Sequence, residues 1–290
     1  MKPAPFEYLR PTTIEEALAA LAEHADRDAK ILAGGQSLVP MMNFRVVQPA
    51  MLIDLNRVAG LAYVHEQQGG IAVGAMTRHS DVKAHPLIAR HVPLVRMAYE
   101  HVAHGTVRNR GTLGGNLVHA DPASEMPAVM LALDARLVLR SSRGARTVDA
   151  ADFFVTTYTT LVEPDEILIE IRLPRRAEGE ACAFEEVSLR KGDFAMSAVG
   201  VRLQLDGDLC GAAAIALAGV SDTPLRAVGA ERLLIGQALD DTRIAEAAEA
   251  TVESIDFSGT ASVSAGYRRD ITRELVRRAL SRARTERIGR

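Results

Sequence analysis

Two glycine-centred segments constrain this 290-residue chain more than anything else in it. They are Ile31-Leu32-Ala33-Gly34-Gly35-Gln36-Ser37-Leu38-Val39-Pro40 and Arg110-Gly111-Thr112-Leu113-Gly114-Gly115-Asn116-Leu117-Val118-His119-Ala120-Asp121-Pro122-Ala123-Ser124-Glu125-Met126-Pro127. In the first, a short apolar strand candidate runs into paired glycines and then a helix start with Ser37 placed as N-cap. Glycines lack a Cβ, so backbone N–H groups can converge on an anion there, and a helix N-terminus adds positive potential. The second segment repeats the device, and both carry a downstream Ser-x-x-Pro helix start, Ser37 with Pro40 and Ser124 with Pro127. Either Gly-Gly alone reads equally well as a turn. Together they suit a diphosphate clamped from both sides, with Gln36, Ser37, Thr112, Asn116, Asp121 and Glu125 left to hold ribityl or ribose hydroxyls.

Competing chemistries are poorly represented. The chain has neither G-x-x-x-x-G-K-[ST] nor a G-x-G-x-x-G opening an early βαβ unit. Its two cysteines, Cys182 and Cys210, are too few and too far apart for an iron–sulfur cluster or structural zinc of its own. His79, His85, His91, His101 and His104 match no metal-ligand spacing, so no metal site and no catalytic side chain are assigned. A formal net charge of -3 and the absence of Trp argue against nucleic acid. No apolar run approaches the roughly 20 residues of a membrane helix, and the start lacks a signal-peptide core, so a cytoplasmic location is expected.

Thr13 and Glu16 form a capping box ahead of Ala17, Leu18 and Leu21. Strands are expected near 30–33, 51–55, 62–65, 70–73, 136–140, 146–148 and 167–173, and helices over 80–100 and 124–133. The polar stretch 174–180 reads as a linker or a long hairpin connection. Beyond it, strands at 196–205 and 209–217 flank an Asp206-Gly207-Asp208 turn, and helices follow near 224–235, 242–254 and 266–284.

The quoted glycine segments resemble the paired FAD motifs of the FAD-binding (medium) subunit of molybdenum hydroxylases, the family of xanthine dehydrogenase and aerobic carbon monoxide dehydrogenase. The resemblance runs almost end to end, through Pro5-Phe6-Glu7-Tyr8-Leu9-Arg10-Pro11, the EPDEILIEIRLP stretch around Leu168, and LRKGDFAM around Lys191. It implies an α+β fold: a FAD-binding domain of the vanillyl-alcohol-oxidase (PCMH) type over 1–175, in subdomains of about 1–57 and 58–175. A C-terminal domain over 176–290 then carries a three-stranded antiparallel sheet and helices.

By the same resemblance, Leu32, Ala33, Gly34, Gly35, Gln36, Ser37 and Leu38, with Gly111, Thr112, Gly114, Gly115 and Asn116, wrap a non-covalent FAD. Asp121, Glu125, Val102, Leu168 and Lys191 complete the expected contacts, with Asp193 a further flavin neighbour. Two positions depart from relatives: Glu185 stands where xanthine dehydrogenases carry a lysine, and Phe194 where the carbon monoxide enzyme has tyrosine. The family assigns molybdopterin to a large partner subunit and two [2Fe–2S] clusters to a small one, assembled as a dimer of heterotrimers. Electrons then pass through FAD to NAD, a quinone or a cytochrome. A self-contained FAD-dependent reductase of the same fold class and a non-enzymatic nucleotide-binding protein are the alternatives.

Overall fold

The computed structural model describes residues 2–24, 27–259 and 263–288. Its first unit comprises β1 (Glu7–Leu9), α1 (Ile14–Glu23), β2 (Ala29–Leu32), α2 (Leu38–Asn43) and β3 (Met51–Asp54). β3 lies between β1 and β2 and runs parallel to both. A central parallel strand is covered on both faces, and all four β3 residues are accordingly buried. The capping box forms as expected: Glu16 N donates to Thr13 Oγ1 at 3.2 Å, and Thr13 N to Glu16 Oε2 at 3.3 Å. Ala17, Leu18 and Leu21 then face Met51 and Ile53 in one small core.

The second unit runs β4 (Val64–Gln67), β5 (Gly70–Gly74), α3 (His79–Ala84), α4 (Pro86–His91), α5 (Pro93–Ala98), α6 (Gly105–Arg108), α7 (Leu113–His119) and α8 (Glu125–Ala132). It continues with β6 (Arg136–Ser141), β7 (Gly144–Asp149), α9 (Ala150–Phe153), β8 (Phe154–Thr156), β9 (Thr159–Thr160) and β10 (Ile167–Pro174). Five of these strands form an antiparallel sheet in the order β4-β5-β10-β6-β7. The one long helix expected over 80–100 is three short ones, because Pro86 and Pro93 begin new helices and cannot continue old ones. α8 has no polar face: all eight of its residues are buried, Glu125 included, so it forms the centre of the main core.

The last unit holds β11 (Glu180–Ser188), β12 (Ala195–Asp206), β13 (Leu209–Ala218), β14 (Leu225–Arg226), α10 (Val228–Leu234), α11 (Asp241–Glu253) and α12 (Ala265–Ile288). The three long antiparallel strands match expectation. The two-residue β14 adds a fourth where the sequence suggests helix, and α10 starts at Val228 rather than 224. Both faces of this sheet are buried. Cys182, Phe184, Ala198, Ala216 and Ala218 join the main core with α8, while Ala181, Ala183, Val199, Val201 and Leu217 pack beneath α10, α11 and α12. The period-2 alternation of strands sorts these sets, and the small alanines let α8 approach closely. Arg226 and Glu231 close the edge with bidentate bonds of 2.7 and 2.9 Å.

Candidate functional site

A cavity of about 700 Å³ opens between the three units. That lies in the upper part of the roughly 300–1,000 Å³ typical of ligand sites. Of the expected contacts, Ala33 to Leu38, Val102, Gly111, Thr112, Gly114, Gly115, Asn116, Glu125 and Leu168 line it. Leu32, Asp121 and Lys191 do not. Leu32 is the last residue of β2 and packs beside Gly35. Asp121 is buried, accepts from Ala123 N at 2.9 Å and from Tyr158 Oη at 3.1 Å, and so holds the far wall in place. Lys191 is exposed beside the Gly192-Asp193-Phe194 turn, whose three residues do reach the cavity.

The two glycine pairs are different devices. Gly34 and Gly35 lie in an open turn, Gly35 at φ +72°, and among the described residues no hydrogen bond takes up the amides of Gly35, Gln36 or Ser37. Ser37 precedes α2 but its side chain caps nothing, so the expected N-cap is absent and its hydroxyl stays with the cavity. Gly114 and Gly115 instead sit inside the first turn of α7, with their amides engaged: Gly114 N donates to Ala75 O at 2.9 Å and Gly115 N to Thr112 Oγ1 at 3.1 Å. Their service is space. A Cβ on Gly114 would stand 2.5 Å from the Ala75 Cβ, and one on Gly34 would stand 2.5 Å from Arg110 O and 2.6 Å from Gly111 Cα. The first loop thus rests directly on the backbone of the second.

A polar bracket ties the loops together. Asn56 Nδ2 donates to Ala33 O at 2.8 Å, Arg78 Nη2 donates to Asn56 Oδ1 at 2.5 Å, and Arg78 Nη1 donates to Arg110 O. The sequence reading missed this bracket, since its members are scattered singly through the chain. It also missed His79, which lines the cavity, contacts Tyr99 Oη through Nδ1 at 3.0 Å and donates its backbone amide to Gly111 O at 3.0 Å. Burial, with Arg108 and Arg78 nearby, pushes the His79 imidazole down to about 4, so it is neutral at pH 7. Tyr158, Thr159, Thr160 and Val162 supply a wall that no motif signals.

The residues fit FAD. Asn116 donates through Nδ2 to Ser124 Oγ at 2.8 Å, yet its Oδ1 is buried without a partner at the cavity. A buried acceptor of this kind is costly unless a ligand hydroxyl meets it. The unengaged amides at 35–37 suit a diphosphate, and the apolar side chains of Val102, Leu168 and Phe194 suit a ring system. Leu168 stands at a β-bulge between β10 and β6, which brings its backbone to the cavity wall. Glu185 lies elsewhere, on the face of β11 toward α12, bound to Arg282 at 2.7 Å.

The FAD binding domain in molybdopterin dehydrogenase matches residues 4–176, and the CO dehydrogenase flavoprotein C-terminal domain matches 182–283. The chain is 40% identical over 284 residues to the 6-hydroxypseudooxynicotine dehydrogenase complex subunit alpha of Paenarthrobacter nicotinovorans, covering 98% of this chain and 96% of that one. It is likewise 40% identical over 284 residues to the caffeine dehydrogenase subunit beta of Pseudomonas sp. strain CBB1, with the same coverage. Among solved structures, a chain of the carbon monoxide dehydrogenase of Hydrogenophaga pseudoflava superposes with a TM-score of 0.96 at 38% identity, covering 99% of each chain. The chain therefore belongs to the FAD-binding subunit family of the molybdopterin dehydrogenases, of the carbon monoxide dehydrogenase medium-chain type.

Proposed function

We propose that this chain is the electron-transfer subunit of a heteromeric molybdenum hydroxylase, taking electrons from the [2Fe–2S] clusters of a small partner and passing them to a terminal acceptor. The carrying observation is the cavity itself, with unengaged amides at 35–37 at one side and the orphaned Asn116 Oδ1 beside them. Bound FAD would supply reversible one- and two-electron redox chemistry. The chain's own residues bind and orient it. Gly35 to Ser37 hold the diphosphate through their amides, and Asn116, Thr112 and Glu125 take ribityl or ribose hydroxyls. Leu168, Val102 and Phe194 pack against the ring system.

The functional division follows the chain: 1–175 carries the cofactor, in subdomains of about 1–57 and 58–175, and 176–290 closes the cavity with the turn at Gly192 to Phe194. A large molybdopterin subunit activates the substrate, and a dimer of heterotrimers in the cytoplasm is the assembly. NAD, a quinone or a cytochrome serves as acceptor. No helix among the described residues is long and apolar enough to cross a membrane. Purification from the native source tests this reading. Yellow protein arriving with an iron–sulfur subunit and a molybdopterin subunit supports it. A stable lone flavoprotein that oxidises or reduces a small substrate by itself would replace it with a self-contained reductase.

A further inference from the structure

Behind the cavity wall lies a set of groups that cofactor binding engages only at Glu125. Glu186 sits on the face of β11 that carries Cys182 and Phe184 into the main core, and its side chain is 1% exposed. Its Oε2 is buried with no hydrogen-bond partner. The Ser188 hydroxyl is the one neighbour that would favour the charged form of Glu186, and its single hydrogen is given to Arg190 O at 3.0 Å. Glu125, 3% exposed at the first turn of α8, faces the same interior and also lines the cavity. On the opposite side His101 places Nδ1 3.9 Å from Glu186 Oε1, its ring 5.4 Å from that of Phe184 and its side chain 35% exposed. The three groups thus lead from the cavity wall to solvent.

We propose that Glu125 and Glu186 form a buried carboxyl pair that stores one proton in the cavity wall and exchanges it with solvent through His101. A buried carboxylate oxygen without a donor is costly as an anion and far less so as part of a neutral acid. Two carboxylates facing one interior cannot both ionise cheaply. Among the described residues the nearest potential cation to Glu186 is His101, which burial holds toward its neutral form; the other charged or titratable groups around the set are Glu125, Asp121 and Tyr99, with Glu185, Glu100, Lys191 and Arg282 acting on His101. Burial, then the Glu125 charge, pushes Glu186 up to about 8. Burial and Asp121 push Glu125 up to about 7, where bonds from its own amide and Ser124 favour its charged form. The proton therefore resides first on Glu186.

The transfers balance without electrons moving in this set. The stored proton passes from Glu186 to the Glu125 carboxylate and from there to the cavity, and Glu186 regains one from water through the His101 imidazole. Only O–H and N–H bonds break and form. The use of this store, as the proton source that accompanies electron arrival, rests on the flavin reading above. Its existence does not.

Infrared titration of the full-length chain, with and without FAD, tests it. A protonated carboxylic C=O component titrating near 8 is expected, and that component should be missing in Glu186→Gln, leaving only the Glu125 component near 7. Glu125→Gln removes the neighbouring charge and should move that midpoint down by about one unit. His101→Asn should keep the band but slow its shift in D2O by about tenfold. Absence of the component titrating near 8, or its persistence in Glu186→Gln, would overturn the pair. An unchanged midpoint in Glu125→Gln would do the same, and an unchanged D2O shift in His101→Asn would overturn the route. None of these readouts depends on whether electrons pass through the chain.

Discussion

Alanine at Gly34 probes the contact between the two glycine segments. Its Cβ would lie 2.5 Å from Arg110 O and 2.6 Å from Gly111 Cα, both backbone atoms that cannot swing aside. Restoring ordinary contact requires the loops to part by about 1 Å, and such overpacking costs about 1–3 kcal/mol. The free chain can open the cavity mouth to relieve the clash, whereas a diphosphate held by the 35–37 amides and a hydroxyl on Asn116 need both loops in place. The cost therefore falls mainly on binding. At about 1.4 kcal/mol per tenfold, FAD affinity should drop by roughly 5- to 150-fold. Gly105→Ala is the control, because nothing lies within 4 Å of its would-be Cβ. The chain has no Trp, so the assay follows the flavin's own fluorescence during titration. Gly34→Ala binding FAD within about twofold of the parent would refute the reasoning.

Glu186 gives a pH signature. Its folded pKa is raised from 4.5 to about 8, so the folded chain holds that proton more tightly than the unfolded chain does. The resulting stability is complete below the unfolded value and is lost as pH rises through about 8, so Glu186→Gln should flatten the fall of Tm with pH across that window. Arg78→Met, which removes both guanidinium bonds of the bracket, should weaken FAD binding by about tenfold while leaving the fold intact by circular dichroism. Glu231→Gln breaks the pairing with Arg226 and weakens the acceptor for Ile215 N, now met at 2.8 Å. Urea unfolding should register a loss of about 3 kcal/mol.

Local patterns were legible where one residue determines one geometry. Thr13 with Glu16 marked the start of α1, Gly207 at φ +57° marked the β12–β13 turn, and alternation marked β6, β7 and β10. Pro86 and Pro93 were equally visible, yet helical spacing masked their effect, because each short helix buries its own few residues against the same core. β11 went unread between the linker at 174–180 and the strand at 196–205, since its pattern is set by two packing partners at once. At the site, the glycine pairs were evident but their roles were not. Whether an amide is engaged depends on Ala75 and Thr77, distant in sequence, and on Thr112 choosing Gly115 as its partner. The Arg78 bracket and the Tyr158 wall carry no motif at all.

The asymmetry between the two glycine pairs offers the most direct test of the claim that this cavity holds FAD. Hydrogen–deuterium exchange of the chain should show the amides of Gly35, Gln36 and Ser37 slowing by at least about tenfold when FAD is added. Those of Gly114 and Gly115, already engaged by Ala75 O and Thr112 Oγ1, should change little. Unchanged exchange at 35–37 with FAD bound, or protection confined to the start of α7, would contradict the account.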